Sequence, residues 1–264
     1  LLPKVAPDYF MVQKDFEAKE VYDLGFKIKD LFNVATIDVL SKNDQLAIQF
    51  SKTKLQEIID DFQKLNNIEL KTKYSIKNDS RDWKLEYAKN DVVNNYEKII
   101  ISKINYRPFD SRYTFISGKG KGFVAYSQNK VRLPMNRNNV GLVCVRQLAS
   151  LPFNHIFISN IISEQCFISS RTKEGGVLMP LYLYPEKNGQ QTIELTNVRT
   201  PNLNLEIINE ISEKLGLTFT NEKEETKDTF APIDILDYIY AVLHSPTYRK
   251  KYRQFLKIDF PRVP

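Results

Sequence analysis

From residue 98 onward the apolar residues change period, and that change constrains the fold more than any other feature of the chain. Short runs rich in Ile, Val, Phe and Tyr (KIIISKI, YTFIS, GFVAYS, VGLVCVRQ, HIFISN, QCFISS and VLMPLYLY) are separated by Gly, Asn, Ser and Pro at intervals of about ten residues. Such spacing predicts a region of six or seven strands between 98 and 185, too short in each run for helices. Before it the period is helical. Leu55, Ile58, Ile59, Phe62 and Leu65 recur on one face, and Thr53 with Gln56 forms a capping-box pattern, predicting a helix over 54–66. A second helix is predicted after Ser80, carrying Trp83, Tyr87, Ala88 and Val92 on one face. After the strands, Leu203 to Leu215 reads as a helix with Asn202 as N-cap and Gly216 just past its end. The charged run NEKEETKD follows. Pro232 then opens a helix to His244, and Ser245 with Pro246 starts another containing YRKKYRQFL. Residues 1–50 read as strands and connecting loops. The fold class is therefore α+β, with a mixed or antiparallel sheet-rich centre, flanking helices and a helical C-terminal tail. The expected division is a connector with first strands over 1–50, a core over 51–200 and a helical part over 201–264.

At 264 residues and 42% hydrophobic content, the chain can bury a proper core. Its two cysteines, Cys144 and Cys166, have neither Cys-x-x-Cys spacing nor a histidine cluster beside them. That argues against a disulfide scaffold or zinc site and fits a reducing cytoplasm. No apolar run reaches the roughly 18 residues that span a bilayer, and no secretory pattern opens the chain. The start without methionine suggests a piece of a longer polypeptide.

The charge is uneven. Between Lys98 and Ser163 there are ten basic residues and one acid, Asp110, although the whole chain carries only +6, so the remainder is net −3. A basic middle between acidic flanks is what a protein meeting a polyanion such as the DNA backbone shows; a solvated charged face is the alternative.

Catalytic patterns are weak or absent. There is no Pro-Pro pair, so the Asn/Asp-Pro-Pro-aromatic loop that holds a flipped adenine against a methyl donor is missing, as is a donor-binding Gly-rich turn. Pro7, Asp8, Glu17 and Lys19 match the P-D-x(n)-E-x-K pattern of magnesium-dependent nucleases, but no clear hairpin would converge the carboxylates, and Glu69 to Lys71 repeats the E-x-K by chance. SGKGKGF at 117–123 misses the Walker spacing and reads as a hairpin turn between YTFIS and GFVAYS. Lys119 and Lys121 at its tip could grip phosphates or be plainly solvated.

Sequence readout requires side chains that reach base edges, typically Arg on guanine and Asn or Gln on adenine. The loop SQNKVRLPMNRNN supplies Gln128, Asn129, Arg132, Asn136 and Arg137, with Arg146 and Gln147 after the next strand and Arg171 and Lys173 in SSRTKEGG. In RPFDSR, Asp110 could pair with Arg107 or Arg112, with Pro108 fixing the turn and Phe109 anchored in the core; the other reading puts one arginine on DNA. In YRKKYRQF, Tyr248 and Tyr252 are expected to pack, while Arg249, Lys250, Lys251 and Arg253 either contact phosphate or form a polar face.

Three blocks in order, INYRPFDSRY at 104–113, MPLYLYPE at 179–186 and DYIYAVLHSPTYRKKYRQFLKIDFPRVP at 237–264, together resemble the C-terminal target-recognition region of type ISP single-polypeptide restriction-modification enzymes and related adenine-specific DNA methyltransferases. PDYFMVQKDFEAKEVYDLGFKIKDLF near the start is similar to that family's segment joining the methyltransferase to the recognition domain. Where the family continues with Gly-x-x-Thr-x-x-Asp, this chain departs with NVATIDVLSKNDQLAIQ. The resemblance implies a non-catalytic module that binds double-stranded DNA and gives specificity to a methyltransferase and endonuclease in the same parent chain. It also implies a methyltransferase domain as intramolecular partner, with S-adenosylmethionine and magnesium held outside this segment.

Overall fold

The computed structural model describes residues 16–77, 79–98, 100–118, 120–148, 152–171, 174–185 and 198–264. In chain order the elements are α1 (Phe16–Asp23), β1 (Phe26–Lys27), α2 (Ile28–Leu31), β2 (Val39–Leu40), α3 (Asp44–Ala47), α4 (Lys52–Lys64), α5 (Asn67–Tyr74) and α6 (Leu85–Asn95). The strand-rich stretch follows with β3 (Ile101–Arg107), β4 (Asp110–Phe115), β5 (Tyr126–Ser127), α7 (Asn129–Met135), β6 (Gly141–Val145), β7 (Phe157–Ser159), β8 (Gly176–Pro180), β9 (Tyr182–Leu183) and β10 (Thr200–Pro201). The chain closes with α8 (Leu205–Leu215), β11 (Thr218–Phe219), β12 (Thr229–Phe230), α9 (Pro232–His244), α10 (Pro246–Lys251) and β13 (Arg262–Val263). The fold is α+β. It forms two compact units, one of residues 32–145 and 155–203, the other of 1–31, 146–154 and 204–264.

In the first unit, α4 buries Leu55, Ile58, Ile59 and Phe62, the stripe that 3.6-residue periodicity requires. Its N-cap is Ser51, whose hydroxyl accepts from the Lys54 amide at 3.1 Å, and not Thr53 two residues on. The capping box belongs to α5, where Asn66 and Glu69 satisfy each other's backbone amides. α6 buries Leu85, Ala88 and Val92, and Trp83 just before it donates its indole N–H to the Phe123 carbonyl at 3.0 Å.

The strand region is not one sheet but several small ones. β3 and β4 form an antiparallel hairpin closed by Arg107↔Asp110, so the tight turn is Pro108-Phe109. The Gly-rich run after β4 is a loop instead. Phe123 amide binds the buried Asp91 carboxylate at 2.9 Å, and a Cβ on Gly122 would lie 2.1 Å from Asp91 Oδ2, so close approach is what demands glycine there. Only Tyr126 and Ser127 of GFVAYS are strand, pairing with β2, and QCFISS is a turn in which the Phe167 amide donates to the Glu164 carbonyl. β6, buried along its whole length, is the centre of a three-stranded antiparallel sheet between β7 and β8, as continuous apolar GLVCV demands. β9 pairs with β10. Asn202 does not cap a helix: its buried amide accepts from Val34 N–H and donates to the Val34 and Pro180 carbonyls, each at 2.8 Å.

In the second unit, β1 pairs antiparallel with β13, and α1 and α2, like α3 in the first unit, stand where strands and connecting loops were expected. α8 is capped by the Asn204 side chain and ends at Gly216 with φ +65°. Pro232 starts α9 and Ser245 caps α10. Tyr248 and Tyr252 are buried with Tyr22, whose ring lies 4.9 Å from that of Tyr252. Arg249 reaches the Leu243 and Asn154 carbonyls, while Lys250, Lys251 and Arg253 are exposed. The 146–154 segment is tied in by the Leu148 amide on the Lys257 carbonyl at 3.0 Å.

Candidate nucleic-acid interface

The turn after α7 is built from inside. Val131, Pro134 and Met135 bury one face of the helix, and the Asn136 amide closes its end on the Arg132 carbonyl at 3.0 Å. Asn139 is then buried, donating to the Tyr182 carbonyl at 2.8 Å and accepting from the Val140 and Tyr182 amides at 2.9 and 3.2 Å. Those bonds hold residues 136–139 against β9. On the outside, the Asn138 carbonyl accepts from the Tyr184 hydroxyl at 2.7 Å and from Arg199 Nη1 at 3.0 Å. Arg137 stacks over Tyr184 at 4.7 Å and Arg199 over Tyr182 at 3.8 Å, near the range of cation–π attraction. Two arginines, two exposed asparagines (Asn136, Asn138) and a tyrosine thus share one patch. Sequence reasoning named Asn136 and Arg137 but missed Arg199 and Asn138. Arg199 lies 61 residues beyond Asn138 and arrives only through the β9–β10 pairing, which leaves no local signal.

The other candidates divide. At the start of α7, Gln128 donates to the Tyr126 hydroxyl. Asn129 Oδ1 accepts from Arg132 Nε and Nη2 at 3.2 and 2.8 Å. Arg132 is only 6% exposed, so its guanidinium belongs to the interior and not to a DNA-contacting surface. Burial pushes its pKa down, opposed by the charge of Asp38. Asp38 is itself buried, and burial raises its carboxyl to about 8 against the pull of the Ser163 amide and Arg132. Lys121 is exposed with φ +57°, its amide bonded to the Ala125 carbonyl at 2.9 Å, in a loop whose Gly118 lies against Asn129. Lys119 and Lys173 lie outside the described residues. Arg171 is exposed, its carbonyl accepting from the Glu174 amide. Arg146 and Gln147 belong to the other unit, where Arg146 pairs with Asp259 at 3.1 Å.

The RPFDSR hairpin is framed by ion pairs. Arg112 grips Asp110 through three contacts of 2.7 to 3.1 Å, while Arg107 bonds the buried Glu164 at 2.9 Å. Burial raises the Glu164 pKa, and the Cys166 amide and Arg107 hold it back. Arg107 and Arg112 lie 3.8 and 4.2 Å from the Tyr106 ring, and Arg112 is also 4.0 Å from Phe50. Phe109 is not a core anchor: it is fully exposed at the tip, because a two-residue turn has no room to fold its second side chain back beneath the strands.

The nuclease-like pattern gains no support. Pro7 and Asp8 lie outside the described residues, Glu17 and Lys19 sit on α1 with Lys19 bound to Asp23, and Glu69 is taken up by the α5 cap. Among the described residues no group of three or more His, Cys, Asp and Glu could hold a metal ion, and no helix is long and apolar enough to cross a membrane.

Among solved structures, this fold is similar to that of a DrdV–DNA complex (TM-score 0.64, 19% identity), covering 100% of this chain and 25% of that one. It is also similar to the ATP-dependent Type ISP restriction-modification enzyme LlaBIII bound to DNA (0.61, 15%), covering 92% of this chain and 15% of that one. A nuclease-deletion mutant of the Type ISP enzyme LlaGI in complex with a DNA substrate mimic gives 0.60 at 19% identity, over 100% of this chain and 23% of that one. The chain therefore spans a quarter or less of the length of these proteins, and no curated protein sequence matches it. The family model described as the Type ISP C-terminal specificity domain matches residues 30–264, and the chain belongs to that family.

Proposed function

We propose that this chain reads duplex DNA for a larger polypeptide, giving target specificity to an adenine methyltransferase and endonuclease carried elsewhere in it. The observation that carries the reading is the anchored patch of Asn136, Arg137, Asn138, Tyr184 and Arg199. Asn and Arg are the side chains that match adenine and guanine edges, and a reader must be held rigidly by buried bonds such as those of Asn139. Specificity domain membership and similarity to proteins described as DNA complexes support the same reading. On it, Lys121 and the exposed lysines of the basic middle meet phosphates and fix register without reading sequence. The chain itself performs no chemistry, and S-adenosylmethionine and magnesium are held by other domains. It works in the cytoplasm, where Cys144 and Cys166 stay reduced.

Selection from a randomised duplex pool by the full-length protein, at low and near-physiological salt, tests this. One short motif that persists at the higher salt is expected, and Arg137→Ala or Arg199→Ala should relax it at one position. Binding without enrichment that vanishes with salt would reduce the chain to a backbone-contacting or scaffolding role.

A further inference from the structure

The tip of the RPFD hairpin combines three observations that packing does not explain. Phe109 is 102% exposed, so its ring contributes nothing to the core. Its φ is +64°, the left-handed region in which a bulky residue is strained and glycine or asparagine is at ease. The turn beneath it is held stiff: Pro108 restricts one torsion, Arg107–Glu164 and Arg112–Asp110 brace both strands, and Tyr106 lies within 4.2 Å of both guanidiniums. A rigid mount that presents an apolar ring in a strained conformation is what insertion into a partner requires.

We propose that Phe109 is a wedge that inserts between stacked bases of the bound duplex; this rests on the DNA-reading function above. Phenylalanine is one of the side chains that proteins push into base steps, and a two-stranded ribbon is narrow enough to reach into a groove. Charge favours nucleic acid over a protein pocket. The hairpin sits within the basic stretch from 98 to 163, and behind its tip the exposed Lys52 and Lys103 meet at Tyr113, Lys52 over its ring at 5.6 Å and Lys103 as its cross-strand partner. The acids packed around the hairpin, Asp110, Glu164 and Asp44, are already taken, Asp110 by Arg112, Glu164 by Arg107, and Asp44 by the Tyr106 hydroxyl at 2.6 Å and Arg107 at 3.6 Å. The wedge therefore enters the duplex without a bare carboxylate facing the phosphates.

The test uses the full-length protein and duplexes of its selected motif with a fluorescent purine analogue placed at each step in turn. The unaltered protein is expected to raise fluorescence at one step through unstacking. Phe109→Gly should abolish that signal and weaken binding by about five- to a hundred-fold, the range of lost stacking contacts, while still selecting the same motif. Phe109→Trp should restore both. Because glycine is relaxed at this φ, Phe109→Gly should melt at or above the temperature of the unaltered protein, so loss of binding would not report misfolding. A signal that persists in Phe109→Gly reports unstacking by another part of the polypeptide. Unchanged unstacking and affinity in the variant overturns the wedge and points to a protein pocket as the ring's partner. Failure of the unaltered protein to select any motif overturns the DNA reading itself.

Discussion

Asn202 shows how much one buried side chain can organise. Its amide satisfies Val34 on both its N–H and carbonyl and Pro180 on its carbonyl, tying the segment between α2 and β2 to the ends of β8 and β10. Asn202→Ala strands one buried and two half-buried backbone groups, and a loss of about 2–4 kcal/mol is expected in urea unfolding. Asp38 makes a pH prediction. Its folded pKa, about 8, lies above the ordinary aspartate value of 3.8, so between those values the native state holds a proton that the unfolded state has released. Stability contributed by this residue is therefore fully present below about pH 4 and lost as pH rises towards 8. Asp38→Asn, which mimics the protonated carboxyl, should flatten that slope; a variant whose urea midpoint falls with pH as steeply as before would assign it to other groups.

At the scale of elements, caps decide where the helices begin and stop. α4 starts at Ser51 because its backbone is extended there and its hydroxyl can reach the Lys54 amide, a geometry Thr53 inside the helix lacks. Ser51→Ala should cost about 1 kcal/mol of stability. α8 ends because Gly216 takes φ +65° with open space around its Cα, so Gly216→Ala should cost about 1 kcal/mol through backbone strain and without a clash. Comparing the two by denaturant midpoints separates a lost hydrogen bond from a strained torsion.

For the whole molecule, the proposed function assigns charge and readout to different residues. Log affinity for DNA against log salt is expected to be linear, and Lys121→Ala should lower the magnitude of its slope by about one while leaving the preferred motif unchanged. Arg199→Ala should instead reduce discrimination at one base pair by about 1–3 kcal/mol, read from selection and from binding to single-substitution sites. If Arg199→Ala weakens all sequences equally, Arg199 is a backbone contact. The division into two units also assigns Arg146 and Gln147 to the unit that includes residues 204–264.

Local chemistry was legible in the amino-acid order. The apolar stripe of α4, Gly216 after α8, Pro232 and Ser245 at helix starts, and the shift to strand-like runs near residue 98 each follow from interactions within a few residues, as did the three blocks that marked the family. What lay beyond was set by distance along the chain. The Gly-rich run is held as a loop by Asp91, remote from it along the chain, which takes the Phe123 amide and lies against Gly122. Arg132 and Arg137 are alike as residue types, yet one is enclosed beside Asp38 and the other lies on a tyrosine at the surface, joined by an Arg199 that nothing nearby announced. Strand partners and the burial of long polar side chains are fixed by long-range packing, so the tertiary structure alone decided which of the candidate readers share a surface.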